Sequence, residues 1–159
     1  MRFLGVVIEM SFDELESKIG LTFANRNLLT EAFTHGSIRG KSQSKDSETY
    51  RRLEFVGDSV IRLVASKSVY GRSQGNVETL HYTREKLVPN QVLADAAKDL
   101  DLSKYLLSSG SSDVMKSRLV LAKLYESLTG AIFLEKDYSV AAKFVEDTLI
   151  SKFLDSKKS

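Results

Sequence analysis

Apolar residues recur along most of this chain at the three- and four-residue spacing of amphipathic helices, and no segment alternates as a strand does. This periodicity predicts an all-α fold, a compact multi-helix domain. The stretches 36–46 and 106–116 lack such a period and are expected to be loops. The helices expected from the pattern and its flanking residues cover 11–20, 26–35, 47–70, 77–88, 90–100, 118–134 and 139–154.

Particular residues mark several of the expected helix ends. Ser11 begins a capping-box pattern before the first helix, and Ser47 can cap the long helix that starts there. Gly71 is the expected stop of that long helix, because glycine readily adopts the left-handed conformation that closes many helices. Gly57 and Gly130 lie inside predicted helices, where glycine costs about 1 kcal/mol relative to alanine. A close approach of two helices is expected at both positions.

Composition bounds the size and class of the protein. With 159 residues, 42% of them hydrophobic and 28% charged, the chain has the balance of one globular domain. We expect a single domain over 1–159, with its core at about 12–154. Cysteine is absent, so disulfides and thiolate metal sites are excluded. No apolar run is long enough for a membrane span, and an intracellular protein, cytoplasmic or mitochondrial, is expected.

The charge of the chain says little about its partners. A net charge of +2 is too small to indicate nucleic-acid binding by itself. Basic residues do cluster locally, at 39–45, at Arg84 and Lys86, and at 152–158. Such clusters contact phosphates only where the fold lines them up, and they are otherwise solvated surface.

Two carboxylates, Glu54 and Asp58, lie four residues apart in the apolar helical segment 52–61. That spacing puts both on one face of the helix, where like charges repel. Beside leucine, valine and isoleucine they would be costly to desolvate without a positive partner. The pair is therefore interpreted either as ligands of a divalent cation, which prefers oxygen donors, or as a solvated helix face that binds nothing.

A second apolar helical segment, 119–134, carries only two charged side chains, Lys123 and Glu126. A carboxylate in so apolar a helix needs a partner, because an isolated buried charge would take up a proton instead. Glu126 is thus a third candidate acid. Lys123 lies three residues away on the same helix and is therefore its neighbour.

The sequences RLEFVGDSV at 52–60 and VLAKLYESLTGAI at 120–132 closely resemble the two signature motifs of the ribonuclease III family, the double-stranded-RNA endonucleases. The resemblance extends over about 12–154 and implies the helical ribonuclease III endonuclease-domain fold. It implies that Glu54, Asp58 and Glu126 are catalytic ligands of Mg²⁺ or Mn²⁺, which activates water for phosphodiester hydrolysis. It also implies a dimer in which Phe55 inserts into the partner subunit. The family's C-terminal double-stranded-RNA-binding domain is not expected, because only five residues follow Leu154.

Two positions depart from the family pattern. Lys123 stands where the family usually has an aspartate, and Arg51 stands where it commonly has a glutamate. Each cation lies three residues from a candidate ligand. The Lys123 ammonium is therefore expected to form a salt bridge with Glu126 or Asp58 and to disfavour a divalent ion through charge repulsion.

These departures favour a copy of the family whose catalysis is impaired and which needs no cofactor. Such a chain would be an RNA-binding or structural subunit that binds structured or double-stranded RNA. It would act as a homodimer, as the heterodimer partner of another ribonuclease III-like chain, or in a mitochondrial ribosome. Because all three carboxylates are retained, the alternative is an active Mg²⁺-dependent endoribonuclease of double-stranded RNA.

Overall fold

A computed structural model describes residues 11–38, 49–111, 113 and 117–158. Within these ranges the regular structure is helical, so the predicted all-α multi-helix domain is confirmed. Short 3₁₀ turns occupy Gly36–Ile38 and Leu102–Tyr105, and a π-helical turn, Glu146–Ile150, joins the last two helices. We number the helices α1 (Asp13–Ile19), α2 (Arg26–Ala32), α3 (Tyr50–Arg72), α4 (Val77–Leu87), α5 (Asn90–Asp99), α6 (Arg118–Glu135), α7 (Tyr138–Val145) and α8 (Ser151–Ser156).

Helix α6 is the centre of the domain and packs against α2, α3, α5 and α7. Its sequence is apolar all round, as expected of a helix enclosed by others, and every residue of 120–132 except Lys123 and Glu126 is buried. Helix α3 packs along α6 through a single apolar face that recurs every three to four residues. The two helices that carry the candidate acids are therefore in direct contact. None of the described helices is both long and apolar enough to cross a membrane.

The structure departs from the prediction at the start of α1 and at the end of α2, whereas the end of α1 agrees with it. The capping box at Ser11 is not formed, since only a long bond of 3.4 Å links its hydroxyl to the first turn of α1. Gly20 closes α1 in the left-handed conformation, as expected, with φ of 69°. Helix α2 ends at Ala32, because the backbone amide of His35 donates to the Leu107 carbonyl at 2.8 Å and leaves the helical pattern.

Two later helix ends also depart from the cap signals. Ser47, the expected cap of α3, lies outside the described residues. Gly71 does not end α3, which continues to Arg72 because Gly71 keeps helical backbone. The last helical region begins one residue before Ser139, because the Asp137 side chain accepts an amide hydrogen bond of 2.9 Å from the first turn.

Candidate functional site

Helices α3 and α6 touch backbone to backbone where Gly57 meets Gly130. A Cβ atom on Gly57 would lie 2.6 Å from the Glu126 carbonyl carbon, and one on Gly130 would collide with a carbonyl group of α3. Only glycine allows so close an approach, and the expectation of close packing at both glycines is confirmed. Because residue 57 lies between Glu54 and Asp58, the contact brings Glu126 next to both acids.

The three candidate acids share one electrostatic environment. The pKa of Glu126 is raised to about 7, chiefly because the side chain is buried and also because Glu54 and Asp58 are negative. The positive charges of Lys123 and Arg62 act in the opposite direction. Near neutral pH, Glu126 is therefore poised between its protonated and ionised forms.

Lys123 pairs with Glu54. Its ammonium forms an ion pair with Glu54 Oε1, and the two side chains are only 20% and 18% exposed. The prediction that Lys123 forms a salt bridge with Glu126 or Asp58 is therefore wrong, because its partner is Glu54. The reason lies in the charges around them: Arg62 already pairs with Asp58, and burial favours the protonated form of Glu126. Glu54 is thus the carboxylate that attracts the ammonium most strongly.

Arg62 is a member of this cluster that the sequence interpretation missed. Its Nε donates to both carboxylate oxygens of Asp58, at 3.0 and 3.2 Å, and its Nη1 lies 3.7 Å from Glu85 on α4. Glu85 also pairs with Arg84, which donates to the Ser66 hydroxyl at 3.1 Å. The four-residue spacing of Asp58 and Arg62 on one helix was the available signal, since it is a common spacing for ion pairs.

The chemistry of the cluster suits a hard divalent cation. Oε2 of Glu54 is buried and accepts no hydrogen bond from the described residues, a costly state for a carboxylate oxygen that a cation would relieve. Within the described ranges, no three acidic or histidine side chains already stand in the arrangement of a metal site. Two of the acids are paired with cations instead: Glu54 with Lys123 and Asp58 with Arg62. A cation bound by these acids would require Lys123 to leave Glu54.

Phe55 projects from α3 beside a surface cavity of about 670 Å³, which Leu28 and Leu134 also line. The Phe55 side chain is 77% exposed and Leu134 is 52% exposed, so two large exposed apolar side chains border the same cavity. Arg51 lines the same cavity. Of the two departures from the family pattern, Lys123 therefore sits among the acids, whereas Arg51 sits at the Phe55 cavity.

The basic clusters noted in the sequence are partly neutralised within the protein. Arg84 pairs with Glu85 at 3.3 Å, whereas Lys86 lies over the uncharged ring of Tyr82, with its Nζ 3.9 Å from the ring centre. Lys152 pairs with Asp99 at 3.3 Å. The cluster at 39–45 lies outside the described residues. The local excess of positive charge is thus smaller than the sequence alone indicates.

Comparison with known proteins places these features in context. A protein-family model described as Ribonuclease-III-like matches residues 25–153, which include both acid-bearing helices. Ribonuclease 3 from Leptospira interrogans is 36% identical over 141 residues, covering 85% of this chain and 56% of that protein. Ribonuclease 3 from Halalkalibacterium halodurans is 32% identical over 151 residues, covering 91% of this chain and 56% of that protein. The chain thus spans little more than half the length of these curated relatives.

The fold has a counterpart among solved structures. The nuclease domain of ribonuclease III from Campylobacter jejuni aligns with a TM-score of 0.77 at 27% sequence identity. The alignment covers 87% of this chain and 98% of that domain. That structure is described as showing flexibility in a region involved in dimer formation.

Proposed function

Because the chain belongs to the ribonuclease III family, we propose that it is a nuclease domain that hydrolyses the phosphodiester bonds of double-stranded RNA. The observation that carries this proposal is the convergence of Glu54, Asp58 and Glu126 at one helix crossing. Burial and the negative charges of Glu54 and Asp58 raise the pKa of Glu126, so its ionised form costs folding free energy. Lys123 and Arg62 offset the charges of Glu54 and Asp58, but Glu126 forms no ion pair with a described residue, so a chain that served only as a scaffold would be more stable without Glu126. This favours the active endonuclease over the impaired copy.

The group that would complete the site is a divalent cation, Mg²⁺ or Mn²⁺, held by Glu54, Asp58 and Glu126. When bound, such an ion lowers the pKa of a coordinated water and stabilises negative charge on phosphate oxygens. The protein contributes placement, because the glycine contact between α3 and α6 fixes the acids on two packed helices. Without a bound ion, burial and the neighbouring acids raise the pKa of the Glu126 carboxyl to about 7.

We propose further that the domain acts as a dimer built around Phe55. In a two-fold dimer the same patch on each subunit must be complementary to itself. The Phe55 surface supports this arrangement, because it offers an exposed aromatic ring next to a cavity of about 670 Å³. The description of the Campylobacter jejuni domain mentions dimer formation and supports a dimer, without identifying its surface.

A second candidate function is an RNA-binding or structural subunit without catalysis. The ion pair between Lys123 and Glu54 supports it, because a resident ammonium repels a divalent ion that approaches the same carboxylate. The two candidates share the fold and the RNA partner. They differ in whether the bound RNA is cut.

Cleavage assays separate the two. A labelled RNA duplex of several helical turns is incubated with the protein in Mg²⁺, in Mn²⁺ and in chelator, beside single-stranded RNA and duplex DNA of the same sequence. The nuclease proposal expects shorter products from the RNA duplex only, and only with a metal ion. Binding of the duplex without cleavage in either metal would contradict it and favour the second candidate. Equal cleavage of single-stranded RNA would contradict the proposed substrate class.

A further inference from the structure

We propose that Lys123 is a built-in cation of the acid cluster that competes with a divalent ion for Glu54. Ion binding by this chain then requires the ammonium to leave its carboxylate. The inference rests on the proposed function, since it concerns the ion that the same acids would hold. It adds a residue that sets the affinity of the site for that ion.

The first observation is the position of the ion pair. The Lys123 ammonium contacts Glu54 Oε1, and both side chains are about four-fifths buried. Two charges in such a place are poorly hydrated, so each depends on the other for stabilisation. Removing the ammonium leaves Glu54 as a largely buried charge without a partner. This state destabilises the folded protein and favours the binding of another cation.

The second observation is that the ion pair satisfies only half of the carboxylate. Oε2 of Glu54 is buried and receives no hydrogen bond from the described residues. A divalent ion can bind one or both oxygens of a carboxylate, so it could contact Oε2 of Glu54 as well as Oε1. An ammonium and a divalent ion on the same carboxylate repel each other, so the two exclude one another.

The third observation distinguishes Lys123 from the other cation of the cluster. Arg62 contacts Asp58 but also lies 3.7 Å from Glu85, so it retains an acidic neighbour if Asp58 turns toward an ion. The ion pair described for Lys123 is with Glu54. Its flexible stem allows the charged end to move into solvent. The Lys123–Glu54 pair is also far more buried than the Arg62–Asp58 pair, so Lys123 is the main competitor of a divalent ion.

This arrangement predicts a pair of opposite effects. Without metal, loss of the ammonium lowers stability, because Glu54 remains buried and unneutralised. With metal, the same loss raises affinity, because the competitor is gone. A lysine with a purely structural role would lower stability without raising affinity for a metal ion.

The test uses Lys123→Met, which keeps an unbranched side chain and removes the charge. Mn²⁺ affinity is measured by isothermal titration calorimetry, and thermal unfolding is followed in chelator and in Mn²⁺. We expect Lys123→Met to bind Mn²⁺ at least about tenfold more tightly than the wild type, equivalent to about 1.4 kcal/mol. Its melting temperature should be lower in chelator and should rise in Mn²⁺ by more than that of the wild type. The matched control is Lys143→Met, at an exposed lysine of α7 that pairs with Asp147 at 2.6 Å, and its Mn²⁺ affinity should stay unchanged.

Equal Mn²⁺ affinity of the wild type and Lys123→Met would overturn the proposal. Lys123→Gln is measured in the same way and carries the same expectation, because it can still donate a hydrogen bond to Glu54 without a charge. If Lys123→Met does not fold, the Mn²⁺ affinity of Lys123→Gln tests the proposal instead. RNA cleavage is measured separately: equal affinities together with metal-dependent cleavage by the wild type refute the competition but not the nuclease function. Tighter binding by the variants with no cleavage by any of them supports the competition and contradicts the nuclease function.

Discussion

The carbonyl group of Glu126 lies directly against the α-carbon of Gly57, in the space that any larger residue at position 57 would fill with its side chain. Glu126 also supplies the third acid of the cluster, and Gly57 lies between the other two in sequence. The glycine contact between α3 and α6 and the candidate site therefore lie at the same place. A change in the helix packing here must also move the acids.

Substituting Gly57 by alanine should destabilise the protein. The added methyl group would overlap the Glu126 carbonyl and force α3 and α6 apart, and overpacking of this kind costs about 1–3 kcal/mol or more. Gly71→Ala is the matched control, because it lies in the same helix and its added carbon would meet nothing within 4 Å. That variant should be unchanged or more stable by about 0.5–1 kcal/mol, from the better helix propensity of alanine. Urea unfolding measures both, and equal effects would contradict the role of the glycine contact.

The pKa of Glu126 predicts how stability depends on pH. Its ordinary value is 4.5, and burial raises it to about 7 in the folded protein, so the folded state binds this proton more tightly than the unfolded state does. The stabilisation from protonated Glu126 is complete below about pH 4.5 and is lost as the pH rises through about 7. The loss is on the order of 3 kcal/mol at most, at 1.36 kcal/mol for each pKa unit.

Glu126→Gln should remove this part of the pH dependence and should be more stable than the wild type above pH 7. Urea unfolding between pH 5 and 8, in chelator, measures the difference between the two proteins. Glu78→Gln, at an exposed residue of α4, serves as the control and should follow the wild type. Parallel pH profiles of the wild type and Glu126→Gln would show that Glu126 is not the group that titrates.

Phe55→Ala should weaken the proposed dimer. Truncating a central aromatic anchor commonly costs about 2 kcal/mol of association, roughly a thirtyfold change in the dissociation constant. Because Phe55 is 77% exposed, helical content should remain. Tyr70→Ala is the matched control, an equally exposed aromatic on the same helix. Analytical ultracentrifugation should show a shift to monomer for Phe55→Ala alone. A wild type that is monomeric at tens of micromolar, about the range of weak specific dimers, would rule out this homodimer.

Restoring the acids that the family usually carries should raise cleavage. Lys123→Asp removes the competing ammonium and adds a carboxylate to the cluster, so the rate on duplex RNA at limiting Mg²⁺ should increase by at least about tenfold. Arg51→Glu alone should change it less, because Arg51 lines the Phe55 cavity. Single-turnover rates of both variants and of the double variant test this. A double variant no faster than the wild type would show that the departures do not limit catalysis.

Local sequence patterns predicted the helices and identified the three acids as candidate metal ligands. They could not identify the partners of those acids. The apolar spacing and the two motifs pointed to Glu54, Asp58 and Glu126. The partner of Lys123 depends on how α3 crosses α6 and on how deeply Glu126 is buried, and both are tertiary properties. Helix ends show the same limit: α2 stops early because the His35 amide bonds to Leu107, which is distant in sequence. Gly57 and Gly130 were informative, because glycine destabilises the interior of a helix and its presence there indicates a close packing contact.

The most direct measurement compares single-turnover cleavage of an RNA duplex by the wild type and by Glu126→Gln in Mn²⁺, with Glu78→Gln as the control. Glu126→Gln is expected to fold at least as stably as the wild type above pH 7, so lost activity cannot be attributed to unfolding. If Glu54, Asp58 and Glu126 hold the ion for hydrolysis, the wild type and Glu78→Gln cut the duplex, and Glu126→Gln falls to the level seen in chelator. Cleavage by Glu126→Gln at the wild-type rate, or no metal-dependent cleavage by the wild type, would contradict the assignment of this cluster as the active site.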